Sequence, residues 1–206
     1  MTREQLEHII RAAAEIADDD AIMIIGSQAV LGQFPQAPNP LLASMEADVF
    51  PLHKPERATL IDGCIGEGSP FHETFGYYAQ GVGPDTAVLP AGWRDRLVLI
   101  QNPNTRGHTG LCLEIHDLLI SKYVAGREKD RLFARAAIHA GLVSRDTLAV
   151  RLAATPLADP RRLAIAQGIN TDFEAAQPRL DNPPPASPPY PLAASGCPKA
   201  SVRSDR

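Results

Sequence analysis

The sequence predicts an α/β (α+β) protein, a mixed sheet flanked by helices with a helical part on its C-terminal side. Two observations carry this. Short β-prone runs separated by Gly, Pro and Asp make a strand-rich middle, and helical periodicity takes over from about Leu113. A third observation bounds it: eight of the chain's 19 prolines fall after Ala176, where large apolar side chains are few. The expected organisation is an α/β core at 1–112, a helical part packed on it at 113–175, and a proline-rich tail at 176–206.

Thr2 followed by Gln5 has capping-box spacing, and Leu6, Ile9, Ile10, Ala13 and Ile16 recur at helical intervals, so the chain opens with an amphipathic helix that "DDD" at Asp18 to Asp20 ends. "AIMII" is too apolar to alternate and too short for a helix, which fits a strand buried on both faces. "SQAVLGQF" then forms a short helix behind Gly26-Ser27, and "PQAPNP" is a loop. In "SMEADVFPL" Glu46 and Asp48 share one side of a strand while Met45, Ala47 and Val49 share the other. Pro55 starts a second helix. "GYYAQGV", "TAVLP" and "RLVLIQ" read as hairpin strands, with Trp93 packing a hairpin. Downstream, Gly126 breaks or kinks the helical pattern, Gly141 resembles a C-cap, and Ser144 and Asp159-Pro160 introduce two further short helices.

A chain of 206 residues with 44% hydrophobic side chains can bury a substantial core. Its net charge of −4 supplies no global basic field for nucleic acid, which directs attention to small ligands and proteins. No stretch approaches the roughly 18–20 apolar residues of a membrane span, and "MTREQLEHII" lacks a signal-peptide pattern, so a cytoplasmic protein that does not engage the membrane is expected. Cys64, Cys112 and Cys197 are widely spaced and form no CxxC pair, and the histidines show no compact ligand spacing.

The chemistry gathers at Gly26-Ser27, at a helix start, and at Glu46 and Asp48, on the strand that follows. Alternate acids on one strand face can coordinate a hard cation such as Mg²⁺, while N–H groups at a helix start suit a phosphate. A site for a metal-bound nucleoside triphosphate results.

These residues resemble a known family. "GSQA…SMEADVFP" looks like the Gly-Ser and two-acid strand motif of the nucleotidyltransferase superfamily, particularly its minimal bacterial members, which include toxins of toxin–antitoxin systems. "HDLLISKYVAGREKDRLFARAAI" resembles the helical Asp-Leu…Lys…Gly-Arg-x-Lys-Asp segment of that group, and the likeness spans roughly residues 9–143. It implies Mg²⁺ or Mn²⁺ held by Glu46 and Asp48, with Gly26 and Ser27 on the phosphates. Lys122, Arg127 and Lys129 would neutralise the triphosphate or bind the acceptor; beside them Asp130 fits a local ion pair that orients Arg127 or Lys129. A nucleoside monophosphate would pass from an NTP to an RNA, such as tRNA, or to a protein, and a cognate antitoxin would be a partner. Glu46 stands where the first acid is usually Asp. A third acid is expected near "YYAQGVGPDT", where Gln80 and Asp85 stand.

Each feature has a plainer counterpart. Gly26-Ser27 also fits a simple strand-to-helix turn, the two acids a solvated edge strand, the basic residues a charged helix face, and Asp85 a turn. The alternative function is therefore a catalytically eroded fold that binds a nucleotide or a protein. A further alternative is an interaction protein whose proline-rich tail docks an aromatic groove.

Overall fold

The computed structural model describes residues 1–176. The proline-rich segment and Cys197 lie outside the described residues, except for Ala176, the last residue of its helix.

Helix α1 (Arg3–Ala17) begins at the expected capping box: Thr2 Oγ1 accepts from Gln5 N, and Gln5 Oε1 accepts from Thr2 N. It ends where Asp18 takes a left-handed conformation. Its stripe of Leu6, Ile9, Ile10, Ala13 and Ala17 is fully buried, and each Leu or Ile there contributes about 1.5–3 kcal/mol of burial. Strand β1 (Ala21–Ile24) is the centre of a five-stranded sheet ordered β3-β2-β1-β5-β4, so both its faces are covered, as its unbroken apolar run requires. β2 (Glu46–Pro51) lies antiparallel to β1, with Ile24 opposite Val49, and β3 (Tyr78–Gly81) runs parallel to β2. β5 (Thr109–Cys112) is parallel to β1 and antiparallel to β4 (Val98–Ile100).

Of the predicted middle strands, "RLVLIQ" forms β4 in an antiparallel pair with the next strand, β5, while "GYYAQGV" forms β3 outside any hairpin. β3 returns parallel to β2 through a crossover made by α3 (Ala58–Ile65) and α4 (Pro70–Phe75), and "TAVLP" is not a strand. A parallel neighbour needs a long connection, and the segment between β2 and β3 supplies it. Trp93 sits on a short 3-10 turn (Trp93–Arg96) packed against the core. β5 carries only four residues, one of them glycine, so its local signal is weak. Pairing with β1 makes it a strand.

The rest is helical: α5 (Ile115–Ala125), α6 (Glu128–His139), α7 (Arg145–Ala153) and α8 (Asp159–Ala176). The last is much longer than the short helix expected. One buried cluster runs from Leu6 of α1 through β1 and Leu119 of α5 to Ile169 of α8. Asp117 of α5, fully buried, accepts two hydrogen bonds from Arg96, at 2.7 and 3.0 Å, and lies 3.2 Å from Arg151 Nε of α7. That triad ties the 90s loop to the helices.

Candidate active site

Between β1 and β2 the chain turns at Gly26 into a 3-10 turn (Ser27–Ala29) that continues as α2 (Val30–Gln33). A Cβ on Gly26 would overlap Asp48 Oδ2 and lie 2.7 Å from Asp48 Cγ. The backbone thus passes against the Asp48 carboxylate at a distance no side chain allows. Ile25 N also donates to Asp48 O at 3.1 Å. The motif's glycine is therefore tied sterically to its second acid.

Strand alternation does the rest. Ala47 and Val49 are fully buried, while Glu46 and Asp48 stand half-buried on the other face. Burial pushes the Glu46 carboxyl above its ordinary value, and the hydrogen bond and charge of Asp48 push it further; Lys129 and the Tyr78 hydroxyl, 3.4 Å from Oε2, act the other way. The two acids crowd one another, an arrangement that a cation would relieve.

The basic residues arrive from the α5–α6 junction. Gly126, at φ 69°, ends α5 in the left-handed region, its N–H donating to Lys122 O. The sharp turn places Lys122, on the last turn of α5, beside Arg127 and Lys129. Asp130, buried behind them, lies 3.2 Å from Lys122 Nζ and 2.6 Å from Arg127 Nε. Burial would raise the Asp130 carboxyl, but the bonds and charges of Arg127 and Lys122 hold it below the ordinary range. Asp130 thus acts as an anchor that sets the two cations.

Gly26, Ser27, Glu46, Asp48, Lys122, Arg127 and Lys129 all line one cleft of about 570 Å³. Ser44 and Ser121, which lie within the two motifs, and Arg161, which lies outside them, also line it. Ser44 Oγ bonds Glu46 at its N–H and C=O, and Ser44 O accepts from buried Gln28. Ser44 precedes the first acid by two residues, which is a readable signal; Arg161 has none, since only the packing of α8 brings it there. Gln80 is the register partner of Asp48 on β3 and also lines the cleft. It offers an amide at the position expected for a third acid. Asp85 is exposed on the Pro84–Thr86 turn and is not among the lining residues, although Thr86 is.

Oxygen donors from Glu46, Asp48 and Gln80 match the hard cations Mg²⁺ and Mn²⁺. A different group stands past the other ends of β1 and β2, where Asp19, Asp20 and His53 present ligand atoms within 4.8 Å of one another. The sequence shows no such spacing because His53 reaches Asp19 only through the β1–β2 pairing. Asp19 accepts there from the N–H groups of Ala21, His53 and Lys54 and bonds His53 Nδ1, so it secures the chain where it leaves β2. Cys112 is fully buried, and burial pushes its thiol up to about 12, which removes it as a nucleophile.

Comparison with known proteins adds one family. A family model described as "Nucleotidyltransferase of unknown function (DUF6036)" matches residues 4–159, ending just before Arg161. No curated protein and no solved structure matches the chain.

Proposed function

The chain belongs to this nucleotidyltransferase family, and from that membership we propose that it transfers a nucleoside monophosphate from an NTP to a hydroxyl of an RNA or protein acceptor. The observation that carries the reading is the single cleft in which Gly26-Ser27, the paired acids and the α5–α6 cations meet. Glu46 and Asp48 would hold Mg²⁺ or Mn²⁺, with the Gln80 amide beside them. Bound there, the cation would neutralise phosphoryl charge and acidify the acceptor hydroxyl.

The chain's own groups supply position and charge, which dominate catalysis of phosphoryl transfer. Ser27 and the backbone beside it face the β- and γ-phosphates. Lys122 and Arg127, preset by Asp130, and the exposed Lys129 face charge that grows on the leaving group. The acceptor oxygen attacks the α-phosphorus, the bond from the α-phosphorus to the β-bridging oxygen breaks, pyrophosphate leaves, and the hydroxyl proton passes to water. An acceptor RNA or protein, and an antitoxin that blocks the cleft, are the partners this reading expects.

The test is incubation with Mg²⁺ or Mn²⁺, each α-labelled NTP, and RNA or protein extract. Label transfer by the wild type and its loss in Asp48→Asn are expected; transfer undiminished in Asp48→Asn would reject the site. A second reading, nucleotide binding without transfer, is favoured by Gln80 opposite Asp48. NTP binding with no labelled product in any extract supports it.

A further inference from the structure

Arg161 stands in the first turn of α8 and reaches the neighbouring helix, where its Nη2 donates to Val124 O at 2.7 Å in the last turn of α5. It lines the cleft beside Lys122, Arg127 and the acids. We propose that Arg161 is a phosphate-binding residue of this cleft, contacting phosphoryl oxygens of the bound triphosphate, so that α8 completes the site. The inference rests on the nucleotide reading above.

Charge partnering sets Arg161 and Lys129 apart from the paired cations around them. Lys122 and Arg127 share Asp130, Arg162 pairs with Asp159, and Arg135 pairs with Asp172. Among the described residues, Arg161 and Lys129 are the cleft-lining cations with no carboxylate within 4.0 Å. Arg161 also borders a neighbouring cavity that contains Asp172, but that carboxylate accepts from Tyr123 and Arg135 and lies more than 4.0 Å from the Arg161 guanidinium.

Geometry gives the reason for an arginine. A guanidinium has five N–H donors in a planar fork, and the bond to Val124 O uses one. Capping the last carbonyls of α5 needs only that single donor, which a lysine would also provide. The remaining donors match two oxygens of a phosphate at once. The bond to Val124 O also fixes the guanidinium before ligand arrives, reducing the ordering cost of binding. Arg162 makes the contrast: its donors go to Asp159, Thr155 O and Leu157 O, and it does not line the cleft.

The test measures binding of inorganic tripolyphosphate and of ATP, each with Mg²⁺, to the full chain by calorimetry, alongside thermal melting. Arg161→Gln should weaken tripolyphosphate at least tenfold, as expected for loss of a charge-assisted bidentate contact. Arg161→Lys keeps a charge and the capping donor; it should melt like the wild type yet lose affinity by several-fold, which guards against a misfolded Gln variant. Arg162→Gln should lower the melting temperature and leave tripolyphosphate affinity unchanged.

Affinities of both Arg161 variants within twofold of the wild type would overturn the assignment, whatever happens to melting. Weakened binding of a short RNA with unchanged tripolyphosphate affinity would also overturn it, placing Arg161 on an acceptor instead. A wild type that binds neither ATP nor tripolyphosphate would reject the nucleotide reading itself. The two failures are therefore distinct.

Discussion

Replacing Gly26 by alanine perturbs one contact and little else. Gly26 has φ −84° and ψ −170°, extended backbone that alanine adopts freely, so no conformational penalty enters. The new methyl would overlap Asp48 Oδ2 and lie 2.7 Å from Cγ and 2.9 Å from Cβ, whereas ordinary contact begins at 3.4 Å. Either the Asp48 side chain leaves its position or β1 and β2 separate. Overpacking of this kind costs about 1–3 kcal/mol, which for a domain of this size lowers the melting temperature by roughly 2–12 °C. Calorimetry or urea unfolding measures it, and Mn²⁺ titration reports the displaced carboxylate as lost affinity. The decisive comparison is a double-mutant cycle. In an Asp48→Gly background both clashing side-chain carbons are absent, so Gly26→Ala should cost less than about 0.5 kcal/mol. An equal cost in both backgrounds would refute the coupling of the glycine to the acid.

Other outcomes follow from the buried charges. Asp117→Asn should destabilise by about 2–4 kcal/mol, somewhat less than breaking a fully buried pair because Arg96 and Arg151 reach solvent in part; a urea midpoint shift worth less than 1 kcal/mol would show that the triad is dispensable. Glu7 is buried and accepts from Asn102 at 2.7 Å, Asn104 at 2.9 Å and Arg3 at 2.9 Å. Burial works to raise its carboxyl, but these bonds outweigh it and hold the carboxyl below the ordinary carboxylate range. The stability it contributes is thus complete above about pH 4.5 and lost as pH falls through the lower folded value. Glu7→Gln should be less stable at pH 7 and show a shallower loss below pH 4.5, and identical pH profiles for the two proteins would contradict this. Asp130→Asn should loosen Lys122 and Arg127 and raise KM for the NTP more than it lowers kcat in the transfer assay; a change confined to kcat would argue against a positioning role.

Much of this protein is legible in its sequence because the signals are local. The capping box at Thr2 and Gln5, the apolar run of β1, the alternation around Glu46 and Asp48, and the break at Gly126 each depend on residues a few positions apart, where backbone sterics and period dominate. The seven motif residues named from sequence do line one cleft. What the sequence withheld depends on distant partners. β5 is a strand because β1 lies beside it, and β3 runs parallel to β2 because helices fill the crossover. Gln80 faces Asp48 through strand register, His53 meets Asp19 through strand pairing, and Arg161 enters the cleft because α8 packs on α6 and α7. Local chemistry determined which groups are offered, and tertiary packing decided which of them meet, since contacts between distant residues form only when the whole core is buried.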